Sequence, residues 1–447
     1  MSLNEGRRAL VIKEMFASGN WLLPTLNGEL YLTKPPLLYW ISVSISSLFG
    51  HVNEWTLRLP SALAALTTLW ISYRYTLKKF GAWPALFTTQ LLIANVAFAM
   101  LARRVEIEML LTALCVGALI SALEYIEAPA KRSWIYLSYF LLALAVLAKG
   151  PVALLFVTLP LIVAAYWTKD SSIKQLLTNR SGWGIFLLVS LSWYTVVTWQ
   201  LGFDIWASII KRDMLEKVQV AESAKPFLSY FAWIAVDFLL LVVLLFIRPK
   251  ALFKRFADKK EWKVLIVAVV VPSLIFSLFG NKHAKYLLPI YPLIAIILAV
   301  QLGFIFDAAT ERIKKLILTL GILLPIIFAV FYMLVEARYF AYRTSAFPQF
   351  QAWNKSISTD TLYAFGNMDS RLIYYANTPV KVLNVAELKA FRDKKKTFLL
   401  LTEDENLSRA SVQMDCKMKE FKPYLKKKKA LLVFGFGDAC NTKVQLN

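Results

Sequence analysis

Long apolar segments alternate with short polar connections from about Leu57 to Val335. A bilayer core about 30 Å thick needs about 20 apolar residues in each helix that crosses it. The pattern therefore predicts ten membrane spans, near residues 57–77, 82–101, 107–125, 133–148, 151–167, 182–200, 228–247, 262–280, 286–306 and 315–336. An eleventh apolar stretch, at 36–50, is too short to be assigned as a span. Composition agrees, because 58% of the 447 residues are hydrophobic, more than a soluble chain of this length buries.

The charges between the spans predict the orientation of the chain. The connections after the first, third, fifth, seventh and ninth spans carry twice as many lysines and arginines as the other connections. By the positive-inside rule these richer connections are cytoplasmic. Residues 1–56 and the tail from about Glu336 are then expected on the outer face. The net charge of +22 is explained by positively charged residues in loops that stay in the cytoplasm or meet anionic lipid. We therefore expect no nucleic-acid partner.

The tail changes character at about Arg343, where the apolar runs shorten to strand length. Residues 361–366, 380–384, 397–402 and 430–436 are predicted as strands, and residues 370–377 and 387–395 as helices. We therefore expect a small α/β domain over residues 343–447 on the outer face, after an outer loop with amphipathic helices at 1–56 and a membrane domain at 57–336. An oxidising compartment permits a disulfide between Cys416 and Cys440, but sequence alone does not show its geometry.

Several kinds of catalytic site are not indicated. We find no zinc-ligand spacing, no glycine-rich nucleotide loop and no Ser-His-Asp signature, and the chain has only two histidines, His51 and His283. The chemistry is expected to depend on carboxylates, cations and tyrosines.

Polar residues concentrate at the outer ends of the predicted spans. Such a layout suits a substrate with a phosphate and a lipid tail, because cations neutralise phosphate and a carboxylate can deprotonate a nucleophile. The plainer alternative is that these are interfacial charges that anchor helix ends. The segments concerned are Asn4-Glu5-Gly6-Arg7-Arg8, Gly19-Asn20-Trp21, Pro24-Thr25-Leu26-Asn27-Gly28, Tyr31-Leu32-Thr33-Lys34-Pro35-Pro36, Arg58-Leu59-Pro60-Ser61, residues 102–109, Lys149-Gly150-Pro151 and Lys285-Tyr286-Leu287-Leu288-Pro289.

The order of these segments resembles the lipid-linked-sugar glycosyltransferases with the C-type fold. The specific relatives are the protein O-mannosyltransferases and the 4-amino-4-deoxy-L-arabinose transferases that modify lipid A. The resemblance covers residues 1 to about 300 and, more weakly, the tail. It implies an inverting transfer of a hexose or pentose from a polyprenyl-phosphate donor to a lipid A-like lipid, a protein or a surface glycan. The protein would lie in the bacterial inner membrane, with its active site facing the periplasm or the outside.

The resemblance also implies roles for single residues. Glu5 is the expected base, because Asn4 stands where the family has its first acid, and Glu108 matches a second acid. Lys34 matches the lysine associated with the lipid phosphate, and Tyr31 lies beside it. Other cationic or aromatic positions expected near that phosphate are Arg103, Arg104, Lys149, Lys285 and Tyr286. Thr33 replaces an acid of the arabinose transferase branch, which weakens both a metal site and the assignment of that particular sugar. No cofactor is indicated with certainty, and a divalent metal stays open.

Four alternatives or extensions follow from the same residues. A flippase or transporter of lipid-linked sugars would place its polar site near the bilayer midplane, in internal repeats that we do not find. A polymerase or ligase of surface polysaccharide would differ only in its acceptor. Asp237 lies inside a predicted span, where it is either functional or paired with a neighbouring helix. Since the family has a helix before the Glu5 motif, we expect one more span upstream of Met1.

Overall fold

The computed structural model describes residues 2–209, 211, 225–239, 241–246, 259–336, 338–339, 345–357, 361–366, 368–376, 378–394, 396–409, 412–422, 424 and 429–440. The chain forms two compact units. We call residues 18–24 and 30–328 the membrane unit, and residues 1–17, 25–29 and 329–447 the terminal unit.

The described chain opens with helix α1, Leu3–Ser18, and a short hairpin of strands β1, Thr25–Leu26, and β2, Glu29–Leu30. The membrane unit that follows is helical, because in lipid each apolar segment must satisfy its own backbone hydrogen bonds. Its 3-10 segments include Pro151–Leu155, Leu241–Phe246 and Ala284–Ile290. Its α-helices are α2 Leu37–Phe49, α3 Glu54–Phe80, α4 Ala82–Ile93, α5 Val96–Leu101, α6 Ile107–Glu127, α7 Ser133–Lys149, α8 Thr158–Thr168, α9 Ser171–Leu177, α10 Arg180–Leu201, α11 Ser229–Asp237, α12 Lys260–Leu278, α13 Tyr291–Asp307 and α14 Glu311–Val330.

Helix α6 forms the centre of the membrane unit. It packs against α3 and α7, and almost every one of its residues is buried. Because the helix is apolar all round, burial on every side is the arrangement that its sequence favours. Polar side chains at the N-terminus of α6 are therefore closely surrounded by other residues.

Six helices in the described part of the chain are long and apolar enough to cross a membrane: Ile107–Glu127, Pro151–Thr168, Arg180–Leu201, Lys260–Leu278, Ala284–Asp307 and Glu311–Val335. The other four predicted spans are mostly helical where described but are shorter, divided or more polar. The span predicted at 82–101 is divided because the Asn95 side chain accepts a hydrogen bond from the Phe98 amide at 2.9 Å and begins a new helix. The predicted fold class, a polytopic α-helical membrane protein with a small C-terminal α/β domain, is confirmed.

The C-terminal domain is a five-stranded mixed sheet in the order β4-β3-β5-β7-β6. Strand β3 pairs in parallel with β4 and β5, and β7 is antiparallel to β5 and β6. All residues of β5 and β7 are buried, as expected for strands inside a sheet that is covered on both faces. The strands are β3 Leu362–Phe365, β4 Val380–Leu383, β5 Phe398–Glu403, β6 Cys416–Phe421 and β7 Leu431–Phe436; the helices are α15 Ala346–Ser356, α16 Ser370–Tyr375 and α17 Val385–Asp393.

The four predicted strands and two predicted helices of this domain are present, with ends displaced by at most two residues. Strand β6 was missed because Lys417, Lys419 and Glu420 make it look like a loop. It lies at the edge of the sheet, where charged residues are tolerated, and its register shifts between Lys417 and Lys419. Cys416 and Cys440, left open by the sequence, are joined by a disulfide.

Candidate active site

Two carboxylates and two ammonium groups meet at one end of the helices of the membrane unit. Glu106 is the residue before α6, and Glu108 lies in the first turn of that helix. Lys149 is the last residue of α7, and Lys285 lies in the 3-10 segment that precedes α13. Acids at a helix start and a cation at a helix end both interact favourably with the helix dipole. We call these four side chains the charged cluster.

The charged cluster is compact and mostly shielded from solvent. Nζ of Lys285 lies 3.0 Å from Oε2 of Glu106 and 3.5 Å from Oε1 of Glu108. Nζ of Lys149 lies 3.2 Å from the same Oε1 of Glu108. The carboxylate side chains are only 4% and 3% exposed, so each is buried together with a cation, as buried charges require. The two positive and two negative charges balance within the cluster.

An aromatic ring and a sharp turn complete the surroundings of Lys149. Its ammonium lies 4.9 Å from the ring centroid of Tyr286, a cation–π distance. Gly150, which follows Lys149, has φ of +85°. Such a backbone conformation strongly favours glycine, and it ends α7 so that the chain turns into the next 3-10 segment.

The loop before Lys285 is fastened by two lysines that the sequence analysis did not single out as a pair. Nζ of the buried Lys282 donates to the carbonyls of Lys225 and Phe279, at 3.0 and 2.6 Å. Nζ of Lys225 donates in return to the Lys282 carbonyl at 2.7 Å. Burial and the positive charges of Lys225 and Lys285 lower the pKa of His283, so its imidazole is neutral at neutral pH.

The remaining predicted cations lie on two other segments of the membrane unit. Arg103 is exposed, and its Nε donates to the Ala99 carbonyl at 3.2 Å, while Arg104 is half-buried in the same turn between α5 and α6. Tyr31 and Lys34 are half-buried between β2 and α2. The Tyr31 amide donates to the Pro24 carbonyl at 2.8 Å, which fixes the backbone beside Lys34.

Glu5 lies in the terminal unit, in the first turn of α1, and is only 2% exposed. Its carboxylate accepts a hydrogen bond from the Ser2 amide at 2.6 Å, and the Ser2 hydroxyl accepts one from the Glu5 amide at 3.3 Å. This reciprocal pair is a capping box, and its sequence signature, Ser-x-x-Glu, was overlooked. The capping box fixes the position of the Glu5 carboxylate at the start of α1.

Glu14, on the same helix, anchors the hairpin of β1 and β2. Its carboxylate accepts hydrogen bonds from the Thr25 hydroxyl at 2.5 Å and from the Asn27 and Gly28 amides at 2.7 and 3.2 Å. Asn27 and Gly28 both have positive φ, the conformation that an Asn-Gly turn supplies. The motif around Asn27 thus has a structural role that follows from its turn chemistry.

Asp237, the acid inside a predicted span, accepts a hydrogen bond from the Tyr291 hydroxyl at 2.6 Å. It ends α11, and Leu239 two residues later has φ of +53°. The pairing with a neighbouring helix, one of the two options from sequence, is present. Among the described residues no group of three or more His, Cys, Asp and Glu side chains is placed to hold a metal ion.

The structure therefore brings together Glu108, Lys149, Lys285 and Tyr286 of the predicted set. It adds Glu106, which stands in the quoted Arg-Arg-Val-Glu-Ile-Glu segment but was not selected as a site residue. An acid two residues before another, at the start of a long apolar run, was the signal available in the sequence.

Comparisons with known proteins give consistent results. Residues 33–199 match the family described as dolichyl-phosphate-mannose-protein mannosyltransferase. A protein of Aquifex aeolicus described as uncharacterised is 29% identical over 316 residues, which are 70% of this chain and 61% of that protein. The undecaprenyl phosphate-alpha-4-amino-4-deoxy-L-arabinose arabinosyl transferase 1 of Proteus mirabilis is 25% identical over 356 residues, 76% of this chain and 63% of that enzyme. The chain thus spans about three fifths of the length of these two relatives.

Among solved structures, the chain is similar to ArnT from Cupriavidus metallidurans, crystallised with undecaprenyl phosphate. The TM-score is 0.74 at 18% sequence identity, over 96% of this chain and 93% of that one. A likeness at this identity shows a shared fold. Together with the sequence relatives, it confirms the family resemblance that the ordered motifs indicated.

Proposed function

Because this chain is related to the glycosyltransferases that use lipid-linked sugars, we propose that it transfers a sugar from a polyprenyl-phosphate donor to an acceptor. The transfer is inverting, and the acceptor is a lipid A-like lipid, a protein or a surface glycan. The protein is integral to the bacterial inner membrane, with its site and its C-terminal domain on the periplasmic side. The names of the relatives, which act on undecaprenyl-phosphate or dolichyl-phosphate sugars, support this class of donor.

The observation that carries the proposal is the position of the charged cluster. It lies where α6 begins and α7 ends, so all four side chains are at one end of two neighbouring helices. The charge bias of the loops assigns this end to the outer side. A polar site at one membrane surface suits a donor whose phosphate lies at the lipid boundary, whereas a transporter needs its site near the midplane.

The reaction exchanges one carbon–oxygen bond for another. The acceptor oxygen attacks the anomeric carbon from the face opposite the phosphate, and the bond from that carbon to the phosphate oxygen breaks. The electron pair leaves with polyprenyl phosphate. Glu5 takes the proton from the acceptor hydroxyl, and Glu108 orients the acceptor or the neighbouring cations.

The leaving phosphate is a stable anion, so the protein mainly has to stabilise the charge that develops on it. Lys149 and Lys285 are neutralised within the charged cluster by Glu106 and Glu108. We therefore assign the first contact with the phosphate to Lys34, helped by Tyr31, Arg103 and Arg104. The electrostatic potential around that contact is then influenced by Lys149, Lys285 and Tyr286.

The direct test is to incubate the purified protein with a panel of polyprenyl-phosphate sugars and candidate acceptors, and to measure release of polyprenyl phosphate. Release with at least one donor, dependent on an acceptor, is the expected result. Reconstituted vesicles that move lipid-linked sugar across the bilayer, without any release, would favour the transporter instead.

A further inference from the structure

Helix α1 lies alongside α16 of the C-terminal domain, although more than 350 residues of sequence separate them. Two contacts define the arrangement. Gly6, near the start of α1, touches Arg371 near the start of α16. Lys13, two turns later, binds the far end of α16. The two helices therefore run side by side in the same direction.

At the first contact, Arg371 offers a fixed surface. Its guanidinium donates to Asp369 at 2.9 and 2.7 Å and lies 5.4 Å from the ring centroid of Phe347. A β-carbon placed on Gly6 would lie 2.3 Å from Cγ of Arg371 and 3.0 Å from its backbone nitrogen. No side chain fits at position 6 unless the two helices move apart.

At the second contact, the ammonium of Lys13 donates to the carbonyls of Tyr374 and Ala376, both at 2.7 Å, and lies 5.5 Å from the Tyr374 ring centroid. The last carbonyls of a helix lack partners within the helix, and a cation there is favourable. Burial lowers the pKa of Lys13, and the neighbouring Glu14 partly offsets that effect. The Lys13 side chain is thus partly removed from solvent and held by two hydrogen bonds.

Gly6 and Lys13 are seven residues apart, so they share one face of α1, and Ala9 and Leu10 are buried between them. Glu5 is the residue next to Gly6, on the same rigid helix. We propose that the C-terminal α/β domain positions Glu5 for catalysis, by docking α1 on α16 through Gly6 and Lys13. The inference rests on the proposed role of Glu5 as the base, and it makes Lys13 and Gly6 positioning residues.

The test uses the full chain and two readouts. Lys13→Ala should raise the hydrogen exchange of amides in α1 by at least about tenfold, because the helix loses its fastening. It should lower kcat for sugar transfer by about 10- to 100-fold, as a misplaced catalytic group does, with the donor KM unchanged. Lys13→Arg, which keeps a donor of two hydrogen bonds, should restore both values towards those of the parent.

Gly6→Ala should reproduce the Lys13→Ala result from the other end of the contact. Lys389→Ala, at an exposed lysine of α17 in the same domain, is the matched control and should change neither readout. Parent-level exchange in Lys13→Ala would overturn the docking, and faster exchange with parent-level kcat would overturn the positioning. If Glu5→Gln itself transfers sugar normally, the proposed base is wrong and the inference falls with it. If Glu5→Gln is inactive but Lys13→Ala shows parent-level exchange or parent-level kcat, only the inference about positioning has failed.

Discussion

Nζ of Lys285 lies 3.0 Å from Oε2 of Glu106, across 179 residues of sequence. Both side chains are largely buried, and the same lysine lies 3.5 Å from Oε1 of Glu108. This pair joins the start of the central helix α6 to the segment before α13. It shows that Glu106, Glu108 and Lys285 form one cluster and are more than separate anchors of helix ends.

The coupling within this pair can be measured by a double-mutant cycle with Glu106→Gln, Lys285→Met and the double variant. Because either single change removes one partner of a buried ion pair, we expect a coupling free energy of about 1–3 kcal/mol in the free energy of unfolding in mixed micelles. The control is the pair of Glu54 and Arg58 on α3, 2.8 Å apart with side chains 38% and 34% exposed. Its coupling should be about 0.2–0.5 kcal/mol. Equal couplings in both cycles would contradict a buried charged cluster.

Glu5→Gln tests the base separately from the capping box. Glutamine keeps the size of the side chain and can still bond the Ser2 amide, but it cannot accept the acceptor proton. We expect transfer to fall by about 10²–10⁴-fold while donor binding and thermal stability stay near parent values. Glu29→Gln, at an exposed acid of the hairpin, should have little effect. Normal transfer by Glu5→Gln together with loss in Glu108→Gln would reverse the two assigned roles.

Lys34→Ala should weaken use of the polyprenyl-phosphate donor without unfolding the protein. A charge-assisted contact to phosphate contributes about 1.5–3 kcal/mol, so kcat/KM for the donor should fall by about 10- to 100-fold. The measurement is initial rate against donor concentration at fixed acceptor. Lys131→Ala, at an exposed lysine between α6 and α7, serves as the control. Unchanged donor kinetics in Lys34→Ala would mean that Lys34 only anchors the start of α2.

Asp170 gives a prediction about pH. Burial alone would raise the pKa of its carboxyl, but hydrogen bonds from Ser172, Lys260 and the Ile173 amide outweigh burial and hold the pKa below its ordinary value. The ionised form therefore stabilises the fold above the unfolded pKa of about 3.9, and this stabilisation is lost as pH falls through the folded value.

Asp170→Asn keeps the cap of α9 but removes the 3.1 Å ion pair with Lys260. At neutral pH it should be less stable than the parent by about 0.2–1 kcal/mol, and the difference should begin to shrink as pH falls below about 4. Thermal unfolding in detergent at several pH values measures this. In a Lys260→Met background the pH dependence of the Asp170 substitution should be weaker, because only the hydrogen bonds from Ser172 and the Ile173 amide then hold the pKa of Asp170 down. An undiminished pH dependence in that background would mean that Lys260 does not contribute.

The sequence by itself determined the elements and the class of fold. Apolar runs of about 20 residues demand membrane helices, and short apolar runs bounded by turns demand strands, since both signals come from residues close together in the chain. Even so, β6 escaped, because Lys417 and Lys419 on an edge strand look like a loop. The ordered motifs also indicated the family, and they supplied Glu108, Lys149 and Lys285 as candidates.

Only the tertiary structure decided which of these residues act together. The pairing of Lys285 with Glu106, and of Lys13 with the end of α16, joins positions 179 and 361 or more residues apart. Such contacts depend on how helices pack, and helical periodicity specifies which face is apolar without specifying its partner. The same limit kept the docking of α1 on the C-terminal domain out of reach: its local sequence shows a capped amphipathic helix, and its partner lies at the other end of the chain.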